Sequence, residues 1–148
     1  MSKSVIGEFK GKYYFLSNFF SSKIEHEGRV YDNGEAMFHS FKNPSSKYKD
    51  SLVGVDPSSA KKFGRNVHLR RDWEEVKDEC MYITVKAKFT QNQDLKEKLL
   101  ATGDAMLIEG NTWNDKYWGV CYGKGKNKLG QILMRVREEL KEEILKGE

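Results

Sequence analysis

Glu35, His39 and Lys42 fall four and three residues apart in the run GEAMFHSFK, which places a carboxylate, an imidazole and an amine along one stripe of a helix. The backbone rise from Glu35 to Lys42 is roughly 10 Å, so both long side chains can converge on one small molecule lying along that face. Such a trio supports proton transfer. A partly desolvated lysine is also a nucleophile toward an aldehyde-like carbon. The same residues suit the helix for its own sake, because Glu in a first turn and Lys in a last turn complement its dipole. Both readings stand on spacing alone.

A second chemistry-bearing stretch runs from Glu109 to Arg137, EGNTWNDKYWGVCYGKGKNKLGQILMRVR. Trp113, Tyr117, Trp118 and Tyr122 carry large flat faces that stack on other flat groups. Gly119, Gly123 and Gly125 permit positive φ and close backbone approach. These are the properties of a loop that holds a ligand. Asp115 is either a general base or an Asx-turn former that shapes the loop, with Lys116 and Asn127 beside it. The segment GKGKNKLG resembles a phosphate cradle ahead of a helix N-terminus. It has the order of neither a P-loop nor a dinucleotide-binding fingerprint.

Other chemistries find less support. No Gly-x-Ser-x-Gly elbow occurs, and Cys121 reads as a buried or pocket-lining thiol. Cys80 and Cys121 lie far apart, which fits a reducing compartment better than a disulfide staple. His26, His39 and His68 form no zinc-ligand pair, so no metal and no cofactor is expected. No secretory signal pattern opens the chain, and no apolar run approaches the ~18 residues of a membrane span. A cytoplasmic protein with no membrane partner is therefore expected. The net charge of +4, from 26 cations and 22 anions, is mild for a dedicated nucleic-acid binder. Arg65, His68, Arg70 and Arg71 form one basic cluster, and Lys124, Lys126 and Lys128 another. Each suits a phosphate or a solvated face.

At 148 residues the chain is expected to form one domain over 1–148. Residues 5–9 and 13–16 read as short strands, and KIEHEGRVY at 23–31 as a hairpin turning at Gly28. Asp32 and Asn33 offer caps for a helix over Gly34–Lys42, stopped by Asn43–Pro44. After Asp56–Pro57, Ser58 or Ser59 offers the cap of another. Asp72 with Glu75 three residues on reads as a capping box, opening a long helix with Trp73, Val76, Cys80, Ile83 and Ala87 at helical spacing. Asp94 offers a cap for LKEKLLAT, which Gly103 closes. AMLIE reads as a buried strand. The last helix starts near Lys128 with Leu129, Ile132, Leu133, Val136, Leu140 and Ile144 on its apolar stripe. An α+β domain follows, mainly helical, with a small antiparallel β-sheet.

Several motifs then combine: FLSNF at 15–19, Glu35 ahead of Phe38 and Lys42, RRDWEEVK at 70–77, VKAKF at 85–89, LLATGDAMLIE at 99–109, and NDKYWG followed by GKGKNKLGQILMRVR. In this order they resemble the YbiA-like, or NADAR, family across nearly the whole chain. The resemblance implies a mainly helical α+β fold and N-glycosidase chemistry on a nitrogen–ribose C1 bond. The implied substrates are phosphoribosyl-amino-pyrimidine intermediates of riboflavin synthesis, or ADP-ribose on guanine, with ADP-ribosylated nucleic acid as the larger form of the latter. It also implies Glu35 as the leading catalytic residue and Lys42 as an amine that attacks the anomeric carbon. Asp115, Trp118 and Asn127 are further site residues on the same ground, with Asn18, Phe19 and Gly119 lying in the matching motifs. Trp113 and Tyr117 are added as stacking faces, and Arg65, Arg70 and Arg71 as phosphate grips. The chain departs from the family pattern at Ala36, where some relatives have His, and at Val120, Cys121 and Tyr122, where others have acidic and glycine residues. Two other classes are weighed against an enzyme: a non-catalytic module that binds ADP-ribose or a nucleotide, and a nucleic-acid interaction protein, which a steep salt slope would betray.

Overall fold

The computed structural model describes residues 4–147. In chain order the elements begin with β1 (Val5–Ile6), a 3₁₀ helix over Gly11–Leu16, β2 (Ser21–His26), β3 (Arg29–Asn33) and α1 (Gly34–Ser40). There follow α2 (Ser46–Ser51), α3 (Pro57–Asn66), α4 (Trp73–Gln91), α5 (Gln93–Ala101), β4 (Met106–Leu107), β5 (Gly110–Asn111), β6 (Val120–Cys121) and α6 (Lys128–Gly147). The α+β class, mainly helical, is what these elements form. Two compact units emerge: Asn18–Asn92, and the chain up to Ser17 together with the chain from Gln93 onward.

In the Asn18–Asn92 unit, β2 and β3 make the expected hairpin. Glu27 and Gly28 both take positive φ, 50° and 84°, the conformation of a tight turn that matches strand twist. Asn33 ends the hairpin and starts α1: its side chain accepts from Ala36 N at 2.8 Å and donates to Val55 O at 2.9 Å. Asp32 is spent on Lys23 instead, at 2.6 Å. The core gathers Ile24, Tyr31, Ala36, Met37, Leu52 and Ala60, with Phe41 and Ile83 packed against it. Each of the larger aliphatic ones, Ile24, Met37 and Leu52, contributes about 1.5–3 kcal/mol by leaving water.

Several local expectations need correction here. The helix α1 stops at Ser40, so Lys42 lies just past it. A short helix, α2, follows Pro44, where Ser45 accepts from Tyr48 N at 3.3 Å. Asp56, rather than either serine, caps α3 by accepting from Ser59 N at 3.1 Å, with Pro57 in the first turn. No capping box opens α4, because Arg70 holds the Asp72 carboxylate through two contacts of 2.6 and 3.0 Å. The buried stripe of α4 is Trp73, Cys80, Met81, Thr84, Val85, Lys88 and Phe89, rotated from the expected one.

Lys88 falls on that buried stripe. It is fully buried beside the Phe20 and Phe89 rings, and burial pushes its amine down to about 7. Its folded pKa lies below the unfolded one, so the unfolded chain binds the extra proton between about pH 7 and pH 10 and stability rises with pH across that window. The melting temperature of Lys88→Met, taken relative to wild type, is expected to be more favourable at about pH 6 than at about pH 10. An equal difference at both pH values would show that Lys88 keeps its ordinary titration.

In the other unit, residues 13–16 are helical, not a strand. Gly11 turns the chain at φ 58°, and Tyr13 N and Ser17 N bond back to Lys10 O and Tyr14 O. Asp94 sits inside the first turn of α5, and Gly103 closes that region at φ 66°. Strand pairing here is parallel: β1 with β4, and β5 with β6, each two residues long. The antiparallel sheet is the β2–β3 hairpin. Along α6, Leu129, Ile132, Leu133, Val136 and Leu140 are buried as expected, whereas Ile144 is 39% exposed. Among the described residues, no helix is long and apolar enough to cross a membrane.

Candidate functional site

Within the Asn18–Asn92 unit, His39 and Lys42 both reach Gly64, and Glu35 reaches His39. Glu35 lies in the first turn of α1 with its own N–H on Asn18 O at 3.1 Å. Its side chain is 13% exposed, and Oε1 stands 3.3 Å from His39 Nε2. Lys42 Nζ donates to Gly64 O at 3.2 Å and lies 5.6 Å from the Trp73 ring centre. Burial pushes the Lys42 amine below the ordinary lysine range, with Arg65 and Lys77 pushing the same way and Glu35 opposing. A carboxylate and a softened amine thus share one partly buried place. That pairing can stabilise a cationic sugar carbon or attack it.

The neighbouring candidates divide by role. Asn18 is buried: besides its carbonyl on Glu35 N, its Nδ2 contacts Met81 Sδ at 3.2 Å, and a Cβ at Gly34 would collide with its amide. It fixes where α1 begins. Phe19 has Lys61 Nζ 5.9 Å from its ring centre. Arg65 is exposed near the Lys42 amine, and Arg71 is exposed as well. Arg70 is committed to Asp72 through both of its contacts, and that pairing is why Arg70 is held above its ordinary value.

The aromatic loop, in the other unit, is pinned by its polar residues. Asp115 Oδ1 accepts from Tyr117 N at 3.1 Å and Trp118 N at 2.9 Å, the Asx-turn arrangement. Asn111 accepts from Asp115 N at 3.1 Å and donates to Asp115 O at 2.9 Å and to Glu109 Oε2 at 3.0 Å. Gly119 is required because a Cβ there would overlap the Glu109 carboxylate and carbonyl. Tyr117 and Trp118 pack edge to face at 4.8 Å, while Trp113 is 54% and Tyr122 82% exposed. Cys121 is buried.

Asn127 ties this loop to the strands before it, accepting from Glu109 N at 3.0 Å and donating to Leu107 O at 2.9 Å. It does so at φ 55°, which asparagine tolerates better than most residues. Asn127→Ala is expected to cost about 2–4 kcal/mol, the sum of two orphaned backbone groups and a strained φ. Chemical denaturation measures it, and a loss under about 0.5 kcal/mol, the scale of an ordinary surface change, would remove the tying role. The expected phosphate cradle needs correction. Lys128 N and Leu129 N, in the first turn of α6, donate to Tyr117 O at 3.1 Å and Trp118 O at 2.9 Å. Those amides are consumed by the loop and do not face a phosphate.

Gly64, Trp73, Glu109 and Asn111 were not expected from the sequence. A glycine inside SAKKFGRN carries a signal, since it costs a helix about 1 kcal/mol against alanine and so invites a packing reason. Among the described residues no three His, Cys, Asp or Glu side chains group as metal ligands.

Known proteins place the chain. The NADAR domain model matches residues 6–141. N-glycosidase YbiA of Escherichia coli is 40% identical over 129 residues, covering 84% of this chain and 80% of that protein. A riboflavin biosynthesis protein of Vibrio vulnificus is 36% identical over 132 residues, covering 86% of this chain but 36% of that longer protein. The NMR structure of the Escherichia coli protein YbiA superposes with a TM-score of 0.88 at 37% identity, covering 98% of this chain and 89% of that one. The chain belongs to the NADAR domain family.

Proposed function

We propose that the chain hydrolyses the bond between a nitrogen and ribose C1 in a phosphoribosyl- or ADP-ribosyl-linked base, without a metal ion. Glycoside hydrolysis as such is the activity its relatives carry in their names. The observation that carries the finer reading is Glu35 beside a Lys42 amine that burial has softened. Cleaving an N-glycoside builds positive charge on the sugar ring, and an ionised carboxylate such as Glu35 favours that charge electrostatically. In the covalent version, Lys42 bonds to C1 as the C1–N bond breaks and the departing nitrogen takes a proton. Ring opening gives an imine, and water adds to it, returning the free amine and the sugar. The net reaction is glycoside plus water to sugar plus base. Glu35 takes the proton from the amine or from water.

Asp115 and Asn127 are proposed as keepers of the aromatic loop, whose exposed Trp113 suits a flat base. Arg65 and Arg71 suit a phosphate. Residues 1–148 are proposed to act as one domain, a reading supported by a family match that runs through both units, in a protein proposed to be cytoplasmic.

The test offers purified protein a phosphoribosylamino-pyrimidine and an ADP-ribosylated guanine, with and without a chelator, and follows free base and free sugar by mass spectrometry. Release from at least one, unaffected by chelation, is expected. Saturable binding without release would favour the non-catalytic module, and loss with chelator would end the metal-free reading.

A further inference from the structure

His39 is only 6% exposed, and its Nδ1 has no hydrogen-bond partner, an uncommon state for a buried polar nitrogen. The cause is Gly64. Helix α3 passes so close that a Cβ at Gly64 would overlap the imidazole at Nδ1, Cγ and Cε1. Phe38 packs edge-on against the ring at 5.3 Å. The polar contact left to the ring is Nε2 with Glu35 Oε1, 3.3 Å away. Burial, Lys42 and Lys61 disfavour the imidazolium and Glu35 favours it, with burial the largest, so the ring sits below its ordinary value and is neutral at neutral pH.

A neutral imidazole carries one N–H. On Nδ1 that proton would be buried against the Gly64 backbone, and the Nε2 lone pair would face a carboxylate oxygen. On Nε2 it is donated to Glu35. We infer that His39 is a positioning residue for Glu35: seated on Gly64, it donates its Nε2–H to one carboxylate oxygen and aims the second. Gly64 O also takes the Lys42 amine. One glycine therefore sets both the ring that orients the Glu35 carboxylate and the place of the Lys42 amine. The consequence for rate rests on the N-glycosidase reading; the tautomer and the effect on Glu35 do not.

The test compares wild type, His39→Leu and His39→Gln by two readouts. Imidazole nitrogen-15 shifts and the carbon-13 shift of the Glu35 carboxyl at one fixed pH are taken without substrate. Values of kcat and KM are taken on whichever of the two glycosides is cleaved. The wild-type ring is expected to be protonated on Nε2. The Glu35 carboxyl shift should move in His39→Leu, which has lost the donor, and return toward wild type in His39→Gln, whose amide still donates. In His39→Leu, kcat should fall roughly tenfold with KM within about twofold. His39→Gln should recover most of that loss. A proton on Nδ1, an unmoved Glu35 carboxyl shift, or an unchanged kcat in His39→Leu overturns the inference. If the spectroscopic results hold while wild type releases no base, the glycosidase reading fails and the positioning of Glu35 stands.

Discussion

Glu35→Gln is expected to cut turnover by about 10² or more, the scale of one well-placed charged group, while the protein stays folded. The backbone that places residue 35 does not depend on its carboxylate. Asn18 O receives the residue 35 amide, and Asn33 caps the helix through Ala36 N. Glutamine has the same length, and its carbonyl oxygen can still accept from His39 Nε2. What it lacks is the negative charge. The contact is weakened to a neutral one and not lost, which costs roughly 1 kcal/mol or about 2–4 °C, so melting should shift by a few degrees while activity collapses. Base release by mass spectrometry and a melting curve on the same sample measure the two effects. Near wild-type release from Glu35→Gln would remove Glu35 from the chemistry. Collapse of both together would mark it as a structural acid instead.

The sequence was most legible where one residue does one local job. Gly28 in a tight turn and Gly103 after α5 take the positive φ that lack of a Cβ permits, and Asn33 ahead of α1 caps it as its side chain dictates. The apolar stripe of α6 holds as far as Leu140 because periodicity reports burial well over many turns. Where a side chain has two possible partners, periodicity is blind. Asp72 has the spacing of a cap, but a guanidinium two residues back offers a stronger, charge-assisted pair. Tyr13, Tyr14 and Phe15 favour strands intrinsically, yet here the chain closes its own short turns, with Tyr13 N on Lys10 O and Ser17 N on Tyr14 O. The candidate site divides in the same way. Spacing brought Glu35, His39 and Lys42 onto one stripe, but Gly64, which both His39 and Lys42 touch, lies on a different helix. Asp115 and Asn127 have the chemistry of an acid and a ligand contact; their bonds to backbone amides and carbonyls are visible only once the loop is folded.

Lys42 carries the second large effect. Lys42→Ala is expected to lose about 10²–10⁴ in turnover, and Lys42→Arg should lose nearly as much. Arginine keeps the positive charge, but a guanidinium remains protonated and forms no imine. A purely electrostatic role would instead let arginine recover much of the rate. Borohydride added during turnover should trap the imine as a secondary amine, leaving the mass of the sugar on Lys42. The pH profile gives an independent reading. The attacking species is the neutral amine, whose fraction rises as pH passes upward through the Lys42 pKa. Burial lowers that pKa, and Arg65 and Lys77 add to the effect while Glu35 opposes it. The rising limb assigned to Lys42 should therefore fall at lower pH than for an ordinary lysine. In Glu35→Gln the opposing carboxylate charge is gone, so the Lys42 pKa drops further and the limb should move lower still. A limb that moves higher in Glu35→Gln, or full activity in Lys42→Ala without a trapped adduct, would rule out attack by this amine.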